Sequence, residues 1–81
     1  MEKDNREAMQ KDLVSILTPC YNMSSCIHRL LESVLMQTYE AIEMWVIDDG
    51  STDGTVDVIK SYEDRFDERG FDLHYVRQEN Q

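Results

Sequence analysis

The apolar positions of this chain fall into short blocks, and three of these blocks have the character of β-strands. Residues 13–18 are apolar and β-branched, and we expect this first strand to end at Pro19, which cannot donate a backbone hydrogen bond within a central ladder. Residues 42–47 predict a second strand, whose consecutive apolar residues indicate burial on both faces, as in parallel sheets. Residues 73–77 predict a third strand.

The two segments between these strands repeat their apolar residues at the spacing of a buried helical face, which predicts helices over residues 24–37 and from about residue 53 to Gly70. The positions expected to face the core are Ile27, Leu30, Leu31, Val34 and Leu35 in the first helix, and Val56, Ile59, Tyr62 or Glu63, and Phe66 in the second. The candidate caps are Asn22, Ser24 and Ser25 for the first helix and Thr52, Asp53 and Thr55 for the second.

The order strand, helix, strand, helix, strand predicts a βαβαβ unit of the α/β class with a three-stranded parallel sheet in the order 3-2-1. Crossovers between parallel strands are right-handed in about 98% of cases, so both helices should lie on one face of the sheet. The opposite face and the outer edge of strand one would then be bare. We therefore expect either the amino-terminal half of a larger domain or a homo-oligomer that buries this face or edge.

Composition restricts the class of partner. The chain has 81 residues and a net charge of −9, which predicts one small domain and argues against nucleic acid or an anionic membrane as partner. Residues 1–12 are highly charged and should form a disordered leader, whereas residues 13–81 should form the domain. Without a signal-peptide core or an apolar run near the roughly 20 residues that span a bilayer, the predicted location is cytoplasmic. Cys20 and Cys26 are expected to be free, buried thiols.

Candidate chemistry follows the first two strands. Pro19 and Tyr21 come at the carboxyl end of strand one, and Asp48 and Asp49 at that of strand two, so both groups should reach the ligand-binding edge of an open α/β sheet. An aromatic ring beside a carboxylate suits a nucleobase, since Tyr21 can stack on the base while Asp49 accepts a hydrogen bond from a base N–H. The Gly50 turn then leads to backbone amides that can hold a ligand oxygen.

Each candidate also has a purely structural interpretation. The two aspartates could merely cap the second helix and close its turn, and Tyr21 could pack on the sheet edge. Asn22 is more often a helix cap than a ligand contact, and the lone histidines His28 and His74 are more often surface or partly buried residues than catalysts. The glycines form neither a G-x-G-x-x-G loop nor a P-loop, so a dinucleotide or P-loop site has no support.

Three runs of the sequence, in order and in spacing, resemble the opening blocks of the family 2 glycosyltransferases, which have the GT-A fold. The runs are Val14-Ser-Ile-Leu-Thr-Pro-Cys-Tyr-Asn22, Leu31-Glu-Ser-Val-Leu-Met-Gln-Thr-Tyr39 and Glu43-Met-Trp-Val-Ile-Asp-Asp-Gly-Ser-Thr-Asp-Gly-Thr55. The closing residues 77–81 also resemble the point where the third strand of that family leads into an Asn-x-Gly turn. The resemblance implies that the chain is the Rossmann-like amino-terminal part of a GT-A domain.

The resemblance further implies an inverting transfer of a sugar from a nucleotide-diphospho-sugar, commonly a UDP-sugar, to an acceptor. By the same analogy Pro19 and Tyr21 line the nucleotide site, Asp49 accepts the base N–H, and Asp48 supports or flanks that contact. The Mn²⁺ or Mg²⁺ of the full-length enzyme would be held by an Asp-x-Asp motif, and a later carboxylate would be the general base. Neither is present in this sequence, so we expect the chain alone to be inactive.

Two other classes of protein remain open on the sequence. A non-catalytic α/β module could use the bare sheet face or edge only to form an oligomer. A receiver or flavodoxin-like domain also places acids at strand ends. Receivers, however, have their acidic pair after the first strand, whereas Asp48 and Asp49 follow the second.

Overall fold

Three parallel strands form one sheet in the order β1-β2-β3, as predicted, in a computed structural model that describes residues 12–79. In chain order the elements are β1 (Val14–Cys20), α1 (Ile27–Leu35), β2 (Ile42–Asp48), α2 (Thr55–Lys60), α3 (Glu63–Arg69) and β3 (Asp72–Arg77). Residues 1–11 of the expected leader, and the last two residues of the expected approach to an Asn-x-Gly turn, lie outside the described residues.

The end of β1 was predicted wrongly, because the strand continues through Pro19 to Cys20. Val14 donates its amide hydrogen to the carbonyl of Ala41, and the carbonyl of Cys20 accepts from Asp49, so the backbone groups of even-numbered residues face β2. The nitrogen of Pro19 therefore points to the outer edge of the sheet. Proline is tolerated at such an edge because no ladder hydrogen bond is lost there.

One face of the sheet carries the core, and the helices pack on it as predicted. Alternate residues of β2 are buried, in register with Ile16 of β1 and with Leu73 and Tyr75 of β3. These side chains pack with the apolar faces of the helices into a single cluster. Its buried members are Cys20, Ile27, Leu31, Val34, Leu35, Ile42, Met44, Val46, Ile59, Phe66 and Phe71.

The segment predicted as one second helix is two short helices, α2 and α3, joined at Ser61 and Tyr62. The hydroxyl of Ser61 donates to the carbonyl of Val58, and Tyr62 donates its amide hydrogen to Ile59, so the chain tightens there. The predicted buried positions Ile59 and Phe66 are nevertheless correct. Gly70 ends α3 at φ 75°, as expected for a glycine after a helix.

The start of α1 also differs from the prediction. The helix begins at Ile27 rather than Ser24, and neither predicted serine caps it, because the N-cap residue is Cys26 and it makes no side-chain cap bond. At the other end the guanidinium of Arg69 donates to the carbonyls of Leu35 and Gln37. A cation is favourable at a helix carboxyl end, where carbonyl groups lack helical partners.

The side chains on the second face of the sheet are half-buried or exposed. Two rows of side chains cross it in register, and we refer to these rows together as the open face: Leu17, Trp45 and His74 in one row, and Pro19, Ile47 and Val76 in the other. Trp45 and His74 stack with ring centroids 4.1 Å apart. The predicted burial of β2 on both faces is therefore wrong within residues 12–79, since its alternate residues are only half-buried.

The two cysteines differ in their burial. Both cysteines are free, but only Cys20 is buried, whereas Cys26 is exposed. Within the described part of the chain, no helix has both the length and the apolar character needed to cross a bilayer.

Candidate functional site

The segments that follow the three strands meet at one edge of the sheet. Cys20 and Asp48 are register partners, and so are Asp48 and Arg77. The amide of Asp49 donates to the carbonyl of Cys20 over 2.9 Å, and the amide of Gln78 donates to the carbonyl of Asp48 over 2.8 Å. The strand pairing thus continues one residue beyond the ends of β2 and β3 and ties the three segments into a common rim.

Asp48 lies beneath this rim and is completely buried. Its Oδ1 accepts hydrogen bonds from the amide of Ser51 at 2.9 Å and from the Ser51 hydroxyl at 2.6 Å. Its Oδ2 accepts from the hydroxyl of Tyr75 at 2.5 Å and lies 3.8 Å from Nη1 of Arg77. A buried carboxylate is tolerated only with such donors, so both oxygens of Asp48 are committed to the protein itself.

The protonation state of this buried group follows from its neighbours. Burial alone would raise the pKa of Asp48, but the hydrogen bonds from Ser51 and Tyr75, together with the charge of Arg77, outweigh it and hold the pKa below its usual value. Burial, and then the bond to Asp48, raise the pKa of Tyr75. At neutral pH Asp48 is therefore an anion and Tyr75 a neutral hydrogen-bond donor.

Ser51 connects all three segments of the rim. Besides its two bonds to Asp48, its hydroxyl oxygen accepts the amide of Asn22 at 2.8 Å, and its carbonyl accepts Nη1 of Arg77 at 2.8 Å. Gly50 precedes it at φ 84°, a conformation that favours glycine. The turn after β2 is consequently fixed by contacts to both neighbouring strand ends.

Asn22 is a tertiary cap rather than the cap of α1. It adopts φ 50°, and its Oδ1 accepts the amides of Thr52 at 2.8 Å and of Asp53 at 3.3 Å, which precede α2. Asparagine is one of the few residues that tolerate the left-handed region. The structure thus assigns Asn22 to the turn after β2, which local cap rules did not predict.

The start of α2 returns these contacts to the first loop. The hydroxyl of Thr55 accepts the amide of Met23 at 2.9 Å, and Oδ2 of Asp53 accepts the amide of Ser24 at 3.1 Å. Oδ1 of Asp53 accepts both the amide and the hydroxyl of Thr55. The hydrogen bond from the Thr55 hydroxyl is the main cause that lowers the pKa of Asp53 to about 2.

The remaining predicted site residues lie on the solvent side of the rim. Asp49 is half-buried, and among residues 12–79 its carboxylate has no hydrogen-bond partner. Tyr21 is 47% exposed, and Pro19 is exposed at the sheet edge. The bond between the Asp49 amide and the Cys20 carbonyl brings the Tyr21 loop beside Asp49. The strand pairing therefore places the backbones of Pro19, Tyr21 and Asp49 at the same end of the sheet, whereas the Asp48 side chain is buried beneath them.

Cys20 lies between Pro19 and Tyr21 but offers no reactive thiolate. Burial is the main cause that raises the pKa of its thiol, and the negative charges of Asp48 and Asp53 raise it further, to about 11. The thiol is therefore protonated at neutral pH and acts as a small core residue.

Three residues of the site were missed or misassigned from the sequence: Asn22, Tyr75 and Arg77. The alternation of β3 does place Tyr75 and Arg77 on one face, which was a usable signal. Their pairing with Asp48 depends on the register of two parallel strands, and no hairpin turn fixes that register along the chain.

The described residues of this rim do not form a metal-binding cluster. Among the residues that the structure describes, no group of three or more His, Cys, Asp or Glu side chains could hold a metal ion. Both oxygens of Asp48 are already used by protein donors, and Asp49 supplies a single carboxylate. Mg²⁺ is usually held by one or two carboxylates together with water and substrate phosphates, so these residues alone form no protein cage for it.

The structure is an open parallel α/β unit with a polar rim at the carboxyl edge of its sheet, the edge at which such units bind ligands. Comparison with known proteins identifies its family. The family model for glycosyl transferase family 2 matches residues 15–81. The chain therefore belongs to glycosyl transferase family 2. The predicted Rossmann-like half of a GT-A fold, with three parallel strands in one sheet, is confirmed.

Individual relatives agree with the family. The chain is 48% identical over 66 residues to the putative teichuronic acid biosynthesis glycosyltransferase TuaG of Bacillus subtilis, which covers 82% of this chain and 25% of that protein. It is 35% identical over 69 residues to the glycosyltransferase GlyA of Streptococcus pneumoniae, covering 85% of this chain and 9% of that protein.

A third relative carries a more detailed name. The UDP-Glc:alpha-D-GlcNAc-diphosphoundecaprenol beta-1,3-glucosyltransferase WfaP of Escherichia coli is 45% identical over 53 residues, covering 65% of this chain and 21% of that protein. The chain thus spans a quarter or less of the length of these three relatives.

Proposed function

We propose that this chain forms the nucleotide-recognition part of a family 2 glycosyltransferase. In this proposal the ring of Tyr21 stacks on the base, Asp49 accepts a base N–H, and Pro19 lines the same site. Asp48 supports the contact from below. The observation that carries the proposal is that the Asp49 carboxylate has no partner within residues 12–79, while the Asp49 amide binds the carbonyl of Cys20, the residue that precedes the exposed Tyr21.

The donor in this proposal is a nucleotide-diphospho-sugar, and UDP is the nucleotide. The name of the Escherichia coli relative includes UDP-Glc, which supports this choice. The N3–H of uracil can donate a hydrogen bond to a carboxylate, whereas N3 of cytosine carries no hydrogen and is itself an acceptor. The Asp49 side chain would therefore favour UDP over CDP, because its oxygen accepts the N3–H of uracil and repels the lone pair on N3 of cytosine.

The full reaction in this proposal is an inverting sugar transfer to an acceptor, which requires groups beyond those described. The proposal includes Mn²⁺ or Mg²⁺ on the diphosphate of the full-length enzyme and a later carboxylate as general base, so the chain alone is expected to be inactive. A cytoplasmic location is part of the same proposal, as is the assignment of residues 13–81 to one nucleotide-sugar-binding unit.

Titration with UDP and CDP, followed by ¹⁵N NMR, tests the site. We expect Asp49→Ala to weaken UDP binding about tenfold or more, since a hydrogen bond to a charged group is lost, and to reduce the preference for UDP over CDP. Asp64→Ala is the matched control, because it removes an exposed carboxylate from α3, away from the rim. If the UDP-induced shifts persist unchanged in Asp49→Ala, the assignment is wrong.

A second candidate function is homo-oligomer formation through the open face or the β1 edge, and one specific observation favours it. Leu17, on the β1 side of the open face, is 69% exposed, and Val76, on the β3 side, is 39% exposed. A second copy of this chain would bring an identical apolar surface to this face, which is the arrangement of a two-fold interface.

A further inference from the structure

The carboxylate of Asp48 joins two different elements. Oδ1 accepts both donors of Ser51, which belongs to the turn carrying Asp49, whereas Oδ2 accepts from Tyr75 on β3. A fully buried anion with an unfilled acceptor oxygen is costly, so the turn and the strand are held together as long as Asp48 remains charged. The link is therefore more than ordinary strand pairing.

Arg77 makes a second link between the same two elements. Its Nη1 donates to the carbonyl of Ser51 at 2.8 Å and lies 3.8 Å from Oδ2 of Asp48. The Arg77 side chain is partly exposed at the rim, whereas Tyr75 approaches from the core side. Two side chains on the same face of β3, separated by one residue, thus hold the turn.

These links restrain Asp49, because it lies between the two tethered residues Asp48 and Ser51. Its amide is bound to the carbonyl of Cys20 on one side, and the buried Asp48 precedes it. Gly50 at φ 84° follows it and leads directly to Ser51. The backbone of Asp49 is therefore fixed, while its carboxylate has no partner in the described part of the chain, which is how a site presents a preorganised acceptor group.

We propose that Tyr75 and Arg77 are positioning residues of the nucleotide site, which act through Asp48 and Ser51 to hold the Asp49 carboxylate in the orientation that selects the base. The ligand side of this inference rests on the proposed function. Neither residue needs to touch the nucleotide, and their removal should change base selectivity in protein that is still folded.

The chain offers a matched control network far from the rim. The hydroxyl of Tyr62 donates to Oε2 of Glu32 at 2.8 Å, and Arg65 donates to both carboxylate oxygens of Glu32. Tyr62→Phe and Arg65→Met therefore remove the same chemical groups from a carboxylate as Tyr75→Phe and Arg77→Met. The control substitutions lie at the start of α3, whereas the test substitutions lie on β3, next to the turn that carries Asp49.

The test compares these four variants of the full chain by the ratio of UDP to CDP affinity, measured by NMR titration under conditions where each is folded. We expect Tyr75→Phe and Arg77→Met to lower the ratio about threefold to tenfold, the effect of a disturbed hydrogen bond. Tyr62→Phe and Arg65→Met should leave the ratio unchanged, although they lower thermal stability. A merely structural role of Tyr75 and Arg77 would change stability and not the ratio.

If Asp49→Ala removes the preference for UDP over CDP while Tyr75→Phe and Arg77→Met retain the wild-type preference, the positioning inference is overturned and the proposed function stands. Amide hydrogen exchange supplies a readout that needs no nucleotide, so the inference remains testable even if UDP does not bind. We expect faster exchange at Asp49 and Ser51 in Tyr75→Phe than in Tyr62→Phe after correction for global stability. Equal exchange in the two variants would also overturn the inference.

Discussion

At the scale of single residues, Asp48 and Asp49 show how position along a strand decides the role of a side chain. Both are aspartates at the same strand end, and the sequence predicted both as nucleotide contacts. Asp48 is buried and bound by Ser51 and Tyr75, whereas Asp49 is half-buried on the rim with its carboxylate free within residues 12–79. Because neighbouring strand residues point to opposite faces, one is structural and the other is available to a ligand.

The hydrogen-bonded carboxylates predict a loss of stability in acid. Bonds from Arg65 and Tyr62 lower the pKa of Glu32 to about 2, and the pKa of Asp53 is also about 2. Since the unfolded chain binds protons at its higher, ordinary pKa values, the free energy of unfolding should fall as pH drops from about 4.5 toward 2. It should be nearly independent of these groups between pH 6 and 8.

Urea unfolding measured at several pH values checks this expectation. Glu32→Gln and Asp53→Asn should each be less stable than the wild type at pH 6 and should show a shallower loss between about pH 4.5 and 2. Stability curves of the two variants that run parallel to the wild-type curve through this range would contradict the assignment of the lowered pKa values.

At the scale of elements, the helix starts are fixed by contacts between loops rather than within them. The Met23 and Ser24 amides before α1 bind side chains at the start of α2, and Asn22 binds amides that precede α2. This reciprocal capping explains why Ser24 and Ser25 do not cap α1. Local rules consider only residues within one turn, whereas these partners are about 30 positions apart in the chain.

The carboxyl end of α3 gives a prediction about backbone conformation alone. Gly70 has φ 75°, and a Cβ added there would meet no atom within 4 Å. We expect Gly70→Ala to lower the free energy of unfolding by about 1 kcal/mol, because only the left-handed conformation is penalised. Chemical denaturation measures the change.

Gly54→Ala is the matched control for this substitution. Gly54 has φ −85°, and an added Cβ would lie 4.0 Å from Cβ of Ser24, which is ordinary contact. Its effect on stability should be small or slightly favourable, since alanine reduces the entropy of the unfolded chain. Equal losses at both glycines would argue against a cost from φ at Gly70.

At the scale of the whole molecule, the sheet has a packed face and an open face. The helices cover the packed face. The open face consists of the two rows that contain Trp45 and Ile47, and a polar row of Ser15, Glu43 and Asp72 lies beside them. The hydroxyl of Ser15 donates to Glu43 at 2.5 Å, and Nε2 of His74 lies 3.8 Å from Glu43. A polar margin beside an apolar patch is typical of an interaction surface.

The proposed homo-oligomer therefore makes a prediction at this scale. Leu17→Lys should weaken self-association at least about tenfold, since it replaces an apolar contact with a charge in each copy. Met36→Lys is the control, because Met36 is 78% exposed at the end of α1 rather than on the open face. Sedimentation velocity over a range of concentrations checks both variants, and a wild-type chain that stays monomeric throughout would contradict the oligomer.

Most of the fold could be predicted from the sequence because it depends on local periodicity. The alternation of strand and helix and the apolar helix faces around Leu31 and Phe66 follow from spacing along the chain. The sheet order follows from right-handed crossovers in a sheet that grows in one direction. The break at Ser61 and the continuation of β1 through Pro19 were not predicted. They depend on a side-chain hydrogen bond and on which edge of the sheet a proline nitrogen faces.

The sequence alone determined which residues come to the carboxyl edge, because a parallel βαβ unit brings every strand end to the same side. Only the tertiary structure decided what they do there. The register between β2 and β3 places Tyr75 and Arg77 against Asp48 and leaves the Asp49 carboxylate without a partner in the described part of the chain. Register between parallel strands is set by packing over the whole sheet rather than by any turn, so a single sequence does not reveal it.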